Sequence, residues 1–354
     1  MSLLPAWPWF GSKFSIAPAV WDRFGNPGNF VDPFCGTASI ALARPTPGKV
    51  ETLNDLFGFI PNALRAMRYS PDALAEEIAW CPVSELDLHA RHKALLERMD
   101  EALVERLRGD PKYFDVELAA WWIWGQSCWI GSGFCAPSGA SNRKKPALSG
   151  QGSGVSACRP KHGIGVLRGS LQLPHLSGSD GTGVGYGRGI FASGRRDDLA
   201  GYLGAISDRF GVARGTSVRI TCHPWEHLVT PAVTISHGKT AVFLDPPYGE
   251  AAKRTKNLYA KDSLDVAADV RAWALEHGDD PRYLIALCGY EGEHKMPATW
   301  EKLSWKSRGG YGNQGGENVN ARRERIWFSP HCGRPAQRSL FETRTIQSTT
   351  GDNQ

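Results

Sequence analysis

The sequence has no apolar run long enough to cross a membrane, and it does not begin with a basic stretch leading into an apolar run. We therefore expect a cytoplasmic protein without a secretory leader. The eight cysteines form no CxxC pair, and the Cys and His spacings fit no zinc-binding pattern. We expect free thiols and no bound metal. The chain also lacks an internal repeat, and no full GxGxxG motif follows the first predicted strand.

Positive charge is concentrated in one segment of the 354-residue chain. Residues 141–196 contain nine Lys or Arg and a single acid, Asp180, which gives this segment a charge of +8. The rest of the chain then carries −3, for a net charge of +5. Local positive charge of this size attracts a polyanion. A solvated loop whose charge is incidental is the alternative interpretation.

Strand patterns occur in two groups, early and late in the chain, and both groups alternate with helical patterns. The predicted strands are 29–32, 50–53, 217–221, 240–244, 283–287 and 325–328. This alternation predicts one parallel α/β sheet, with one half in residues 1–70 and the other in 200–330. Residues 71–199 then form an insertion, and the polar residues 331–354 form a tail.

The insertion itself has two parts. Residues 72–130 are helical in pattern, with an amphipathic stretch over Ser84–Leu107 and four tryptophans within Asp115–Ile130. Tryptophans at helical spacing are more often core than ligand contacts, so we predict a core role for them. Residues 131–195 differ, because thirteen glycines lie between 150 and 194. They predict a long loop or an irregular module.

The strongest chemical motif is the tetrapeptide DPPY, which directly follows the apolar run 241–244. Ligands of open α/β sheets bind beyond the carboxyl ends of the strands. The two prolines have no N–H to donate, so their carbonyls are left to accept hydrogen bonds from a ligand. A carboxylate, a carbonyl and an aromatic ring suit a planar group that carries an NH₂. The four residues are Asp245, Pro246, Pro247 and Tyr248; a proline-rich turn is the structural alternative.

A second motif, Asp32–Ala38 (DPFCGTA), follows the first strand. A glycine at such a turn lets a cofactor approach the backbone, and a helix N-terminus favours its carboxylate. Asn54 and Asp55 end the second strand, and Asp55 lies 19 residues after Gly36. An acid normally holds ribose hydroxyls at that point. Helix capping is the alternative role for this pair, and the two roles are compatible.

With these motifs in order, the sequence resembles the Dam-like class of DNA adenine-N6 methyltransferases, a class often found in phages and prophages. DPFCGTAS resembles the first motif of the class, DPPY its catalytic motif, and Trp9–Lys13 (WFGSK) its N-terminal motif. The resemblance implies a Rossmann-like S-adenosylmethionine-dependent methyltransferase sheet with an inserted target-recognition region. The cofactor-binding residues that it implies are Trp9, Lys13, Asp32, Phe34, Gly36 and Asp55.

The resemblance also implies double-stranded DNA as the partner and a target base flipped into the DPPY site. From the charge distribution we expect the insert to contact phosphates through Arg143, Lys144, Lys145, Arg195 and Arg196, with Lys253, Arg254 and Lys256 as a second basic group. The sequence departs from the class pattern at Gly36-Thr37-Ala38, where GxG is usual. An acidic contact to the cofactor's adenine would come from Glu226.

Two other functions fit the same residues. DPPY is equally suited to the N4 amine of cytosine or to adenine in RNA, and only the resemblance favours adenine in DNA. A catalytically degenerate DNA-binding protein on this fold is the other alternative, although an intact DPPY argues against it. The sequence has no convincing PD…(D/E)xK cluster, so we expect no nuclease on the same chain.

Overall fold

The computed structural model describes residues 3–9, 11–129, 134–135, 189–191, 198–211, 217–247, 266–305 and 323–333. The strands in these ranges are β1 (Asn29–Asp32), β2 (Val50–Asn54), β3 (Ser217–Thr221), β4 (Thr240–Leu244), β5 (Tyr283–Tyr290), β6 (Glu301–Ser304) and β7 (Glu324–Phe328). The helices are α1 (Ala17–Phe24), α2 (Ser39–Leu42), α3 (Phe59–Tyr69), α4 (Pro71–Ala79), α5 (Glu85–Arg98), α6 (Glu101–Gly109), α7 (Val116–Cys128), α8 (Leu199–Phe210) and α9 (Val266–His277).

The seven strands form one sheet in the order β3-β2-β1-β4-β5-β7-β6. The first five positions in this order are joined by parallel pairing, whereas β7 is antiparallel to both β5 and β6. The chain moves outward from β1 to β3 and then crosses back to β4 on the other side of β1. The strand order reverses there, and open α/β sheets bind ligands at such a point. The predicted Rossmann-like α/β sheet is confirmed.

The six predicted strands are all present, and the differences lie at the far edge of the sheet. β5 runs three residues beyond the predicted end, to Tyr290. β6 was not predicted, because its sequence EKLS is polar and most of its residues are exposed at the sheet edge. The amphipathic stretch 84–107 also divides into two helices, since Asp100 caps the start of α6 by accepting a hydrogen bond from the backbone of Leu103.

Helix α7 confirms the predicted core role of the tryptophans. Trp122 is fully buried and stacks on Phe59 of α3, with ring centroids 5.9 Å apart and planes 4° apart. Trp124 is 1% exposed. Trp121 is only partly buried and packs against the edge of the same core. Through α3, this helix of the inserted region shares one hydrophobic core with the sheet.

Buried polar side chains hold the neighbouring segments in place. Arg65 of α3 donates to the Ile220 carbonyl on β3 and to the carbonyls of Asp110 and Tyr113, which lie between α6 and α7. Asn62 exchanges two hydrogen bonds with the backbone of Asp115 at the start of α7. These contacts fix β3 and α7 against the helix that follows the second strand. The side chains of Asn62 and Arg65 are thereby committed to the fold.

A buried ionic cluster lies in β2. Glu51 is fully buried and accepts hydrogen bonds from Arg44 at 3.0 Å and from Arg209 at 2.9 Å. The backbone N–H of Gly48 donates to the same carboxylate at 3.1 Å. Arg44 and Arg209 come from the segment after α2 and from α8, so one acid ties two elements to the sheet. Removing a single partner would leave buried charge without compensation.

The cysteines agree with the predicted free thiols wherever the structure describes them. Cys35, Cys81, Cys128, Cys135, Cys222, Cys288 and Cys332 are unpaired by disulfide and buried. Cys158 lies outside the described residues. In the described ranges, no helix combines the length and the apolar character that a membrane crossing requires.

Candidate active site

A cavity of about 310 Å³ opens at the carboxyl ends of β1, β2 and β4, where the strand order reverses. Asp32 ends β1, and Asp245 directly follows β4. Both side chains line the cavity, together with Asp55 after β2. A concave site with a few convergent polar groups at this place in an α/β sheet is the expected position for a ligand.

The turn after β1 is tight because two of its residues adopt left-handed backbone conformations. Gly36 has φ of 49° and Ala38 has φ of 54°. Gly36 is also packed closely, since a Cβ at this position would lie 3.1 Å from Cδ1 of Trp9. Glycine is therefore required at 36 on two grounds, conformation and space. At 38, where the class pattern has its second glycine, alanine keeps the left-handed conformation at a steric cost.

Asn54 joins the three loops around the cavity. Its Nδ2 donates to the carbonyls of Pro33 and His223, each at 2.9 Å. Its Oδ1 accepts from the His223 backbone at 2.9 Å and from the Thr221 hydroxyl at 2.8 Å. Helix capping by this residue is wrong, because α3 begins after Gly58 without any side-chain cap. Asn54 instead fixes the loops after β1 and β3 relative to β2.

Asp55 faces the turn that contains Gly36. One carboxylate oxygen accepts from the Gly36 backbone N–H at 3.1 Å, and the other accepts from the Phe57 N–H at 2.9 Å. Burial raises the pKa of Asp55 to about 6, and the backbone hydrogen bonds oppose that rise only in part. The carboxylate thus holds the glycine turn in place and lies in the wall of the cavity. It has oxygen lone pairs left for a ligand hydroxyl.

Aromatic rings line two sides of the cavity. Trp9 and Phe57 have ring centroids 6.2 Å apart, and Phe34 and Trp225 have centroids 6.4 Å apart with planes inclined by 31°. Such rings provide faces for a planar ligand group. Glu226 also lines the cavity and is exposed.

The side chains of Lys13 and Asp245 meet at the end of β4. The Lys13 ammonium donates to Oδ2 of Asp245 at 2.7 Å and to the Gly11 carbonyl at 2.9 Å. Burial by itself lowers the pKa of Lys13, but the carboxylates of Asp245 and Glu324 outweigh it, and the pKa lies above the ordinary value. The pKa of Asp32 is raised well above its usual range, first by burial and then by the nearby Asp245 charge.

The predicted cofactor-binding residues and three of the four DPPY residues come together here. The cavity is lined by Trp9, Lys13, Asp32, Phe34, Gly36, Asp55, Asp245 and Pro247, and Pro246 is buried between the last two. The other predicted residues lie outside the described ranges: Tyr248, Arg143, Lys144, Lys145, Arg195, Arg196, Lys253, Arg254 and Lys256. Within the part of the chain that the structure describes, no group of three or more His, Cys, Asp or Glu could hold a metal ion.

Sequence reasoning missed the partners that hold the site together. The Lys13–Asp245 contact spans 232 positions, so no local pattern indicates it. The buried acid Glu324 at the start of β7 lies in a run of arginines and resembles a surface residue in sequence.

Comparison with known protein families agrees with this geometry. Residues 9–92 match the model of the D12 class N6 adenine-specific DNA methyltransferase family. The matched segment contains the WFGSK motif, the turn after β1 and Asp55. The match confirms the resemblance to Dam-like adenine methyltransferases, and it supports an enzyme that is an adenine-specific DNA methyltransferase. No curated protein matches the chain.

Proposed function

We propose that the protein transfers a methyl group from S-adenosylmethionine to the N6 amine of adenine in DNA, using Asp245 as the acceptor of the amine hydrogens. The observation that carries this proposal is the position of Asp245, directly after β4 and in the wall of the cavity that Asp55 and the Gly36 turn also line. A cofactor subsite and a reactive carboxylate therefore share one cavity.

The residues around the cavity fit S-adenosylmethionine by their chemistry. The Asp55 carboxylate is placed to accept from ribose hydroxyls, and the rings of Phe34 and Trp225 offer faces for a purine. The Gly36 turn allows close approach of the backbone. Four acids line the site against one lysine, which favours a ligand with positively charged groups. When bound, the cofactor supplies a methyl group on a sulfonium that is already a good leaving group.

Asp245 would act on the target amine by electrostatics and alignment. The adenine amine is a poor nucleophile because its lone pair is delocalised into the ring. A carboxylate and the Pro246 carbonyl that accept its two hydrogens localise that lone pair and stabilise the positive charge that grows on nitrogen. The remaining task is to align the amine with the methyl group. Tyr248 would stack on the base after flipping removes it from the duplex.

DNA recognition falls to the inserted residues 71–199 in this proposal, because they separate the two halves of the catalytic sheet in sequence. Arg143, Lys144, Lys145, Arg195 and Arg196 would contact phosphates. The chain's positive excess lies in this segment, which supports that role. Phosphate contacts position a protein on DNA without reading its sequence.

The test is to replace Asp245 by asparagine and by alanine. Both variants are expected to lose methyl transfer at saturating DNA while they bind S-adenosylmethionine like the wild type in calorimetry. Substantial turnover by Asp245→Ala would contradict the proposal. Tyr248→Ala is expected to lose most activity and Tyr248→Phe far less, since stacking needs the ring and not the hydroxyl. Equal losses in these two variants would contradict the stacking role.

A further inference from the structure

Lys13 is held in a fixed position behind the Asp245 carboxylate. Its side chain is buried, with the residue 3% exposed, and the ammonium bonds to both Asp245 and the Gly11 carbonyl. The Asp245 side chain is 20% exposed and lines the cavity. One carboxylate oxygen thus points back to a buried cation, which restricts the orientation of the group that faces the ligand.

A second buried acid acts on the same lysine. Glu324 begins β7, is 5% exposed, and pairs in register with Tyr290 at the end of β5. The charges of Asp245 and Glu324 both raise the pKa of Lys13. The charge of Glu324 also raises the pKa of Tyr290, although burial is the larger cause there. Glu324 is therefore a buried acid whose charge acts on the buried ammonium of Lys13.

The charge balance of these groups matters for methyl transfer. An Asp245–Lys13 pair alone is electrically neutral. A neutral pair does little to stabilise the positive charge that develops on a nearby nitrogen. Glu324 changes this balance, because a carboxylate at Glu324 would give the three groups together one net negative charge. A site of that charge favours an amine that becomes positive as the methyl group arrives.

We propose that Lys13 and Glu324 are positioning residues for the transfer: Lys13 fixes the Asp245 carboxylate toward the cavity, and Glu324 offsets the charge of Lys13. This inference rests on the proposed function and deepens it. It gives Lys13 a role through Asp245, whereas the resemblance implied a contact with the cofactor, and it assigns Glu324 to the site.

A different role for Lys13 is that of an internal competitor, whose ammonium occupies the place of the target amine until DNA displaces it. The surroundings favour the positioning role. Leaving Asp245 would cost the lysine a 2.7 Å ion pair, and moving away would also break its bond to Gly11 and its interaction with Glu324. Rate measurements separate the two roles, because a competitor slows binding of the base and a positioning residue accelerates the chemical step.

The experiment is a double-mutant cycle in the full chain, with Lys13→Met, Glu324→Gln and the combined variant. Single-turnover methyl transfer is measured at saturating DNA and S-adenosylmethionine. Glu301→Gln is the matched control, because Glu301 is an acid on β6, the strand that pairs with β7. Glu301 forms an ion pair with Arg23. It lies opposite Phe328, at the other end of β7 from Glu324. Lys13→Arg tests rescue by another cation. Cofactor calorimetry and thermal melting check that each variant is folded.

We expect Lys13→Met to slow transfer about 100-fold and Glu324→Gln about 10-fold, with Glu301→Gln unchanged and Lys13→Arg largely restored. Cofactor affinity is expected to stay within about twofold of the wild type, and Glu324→Gln is expected to cause no further loss in the Lys13→Met background. Additive losses, a faster Lys13→Met variant, or a loss confined to cofactor affinity would overturn this inference while the wild type still methylates DNA. A wild type that methylates no DNA would overturn the proposed function as well.

Discussion

Asp55 provides a test of the cofactor site that separates charge from shape. Asp55→Asn keeps the size of the side chain and one oxygen that can accept from Gly36 or Phe57. It removes the negative charge that ribose hydroxyls would meet. The folded state should be preserved, because a buried ionised carboxylate with a raised pKa costs stability at neutral pH. We therefore expect the variant to melt no lower than the wild type at pH 8.

The magnitude follows from the hydrogen bonds and from the pKa. Hydrogen bonds to a charged group contribute about 1.5–3 kcal/mol, so Asp55→Asn is expected to weaken S-adenosylmethionine binding about 10- to 150-fold at pH 8. The pKa of Asp55 is about 6 in the free protein. The ionised form binds the ribose, so affinity is full above this pH and falls as the pH drops through it. The wild-type Kd should rise about twofold at pH 6 and about tenfold at pH 5.

Calorimetric titration of both proteins with S-adenosylmethionine between pH 5 and pH 8 measures these effects. The variant is expected to show weak binding with a smaller pH dependence, because the titrating carboxylate is gone. Unchanged affinity at pH 8 would assign Asp55 to holding the Gly36 turn alone. An equal pH slope in the two proteins would place the titrating group elsewhere and refute the argument from its pKa.

Three further predictions concern the fold, the cofactor turn and DNA binding. Glu51→Ala leaves two buried arginines without their acid and is expected to destabilise the fold by about 3–5 kcal/mol in urea unfolding; a loss below about 1 kcal/mol would show that the cluster contributes little. Gly36→Ala strains a left-handed residue and crowds Trp9, so cofactor Kd should rise at least tenfold in calorimetry, and normal binding would refute that packing. Neutralising the five basic residues of the insert should flatten the salt dependence of DNA affinity by up to about 4.5 in log–log slope while S-adenosylmethionine binding stays normal. An unchanged slope would assign the phosphate contacts elsewhere, with the second basic group as the first candidate: Lys253, Arg254 and Lys256.

The elements that were predictable from sequence are those whose environment is set locally. β1 and β4 are buried on both faces, so their apolar runs mark them as central strands of a parallel sheet. Asp32 ends β1 and Asp245 directly follows β4, and the topology alone brings the ends of these two strands together. The cavity could therefore be placed from the strand pattern and the residues that end each strand.

What the sequence did not reveal depends on contacts between distant positions. β6 is a polar edge strand that exists because β7 pairs with it. Asparagine is a common helix cap, and only the fold shows that Asn54 instead donates hydrogen bonds to the carbonyls of Pro33 and His223. From sequence, Lys13 is equally suited to contacting a cofactor and to forming an ion pair. The structure shows the ion pair, with Asp245. Long-range pairing of polar groups has no periodicity and so no sequence signature.

The most direct test of the central claim is the identity of the methylated nucleoside. Purified protein is incubated with S-adenosylmethionine and either unmodified double-stranded DNA or RNA, and the digested nucleosides are analysed by mass spectrometry. The account predicts N6-methyldeoxyadenosine from DNA, no methylated nucleoside from RNA, and no product from either substrate with Asp245→Ala. N4-methyldeoxycytidine, methyladenosine from RNA alone, or cofactor binding without any methylated product would contradict it.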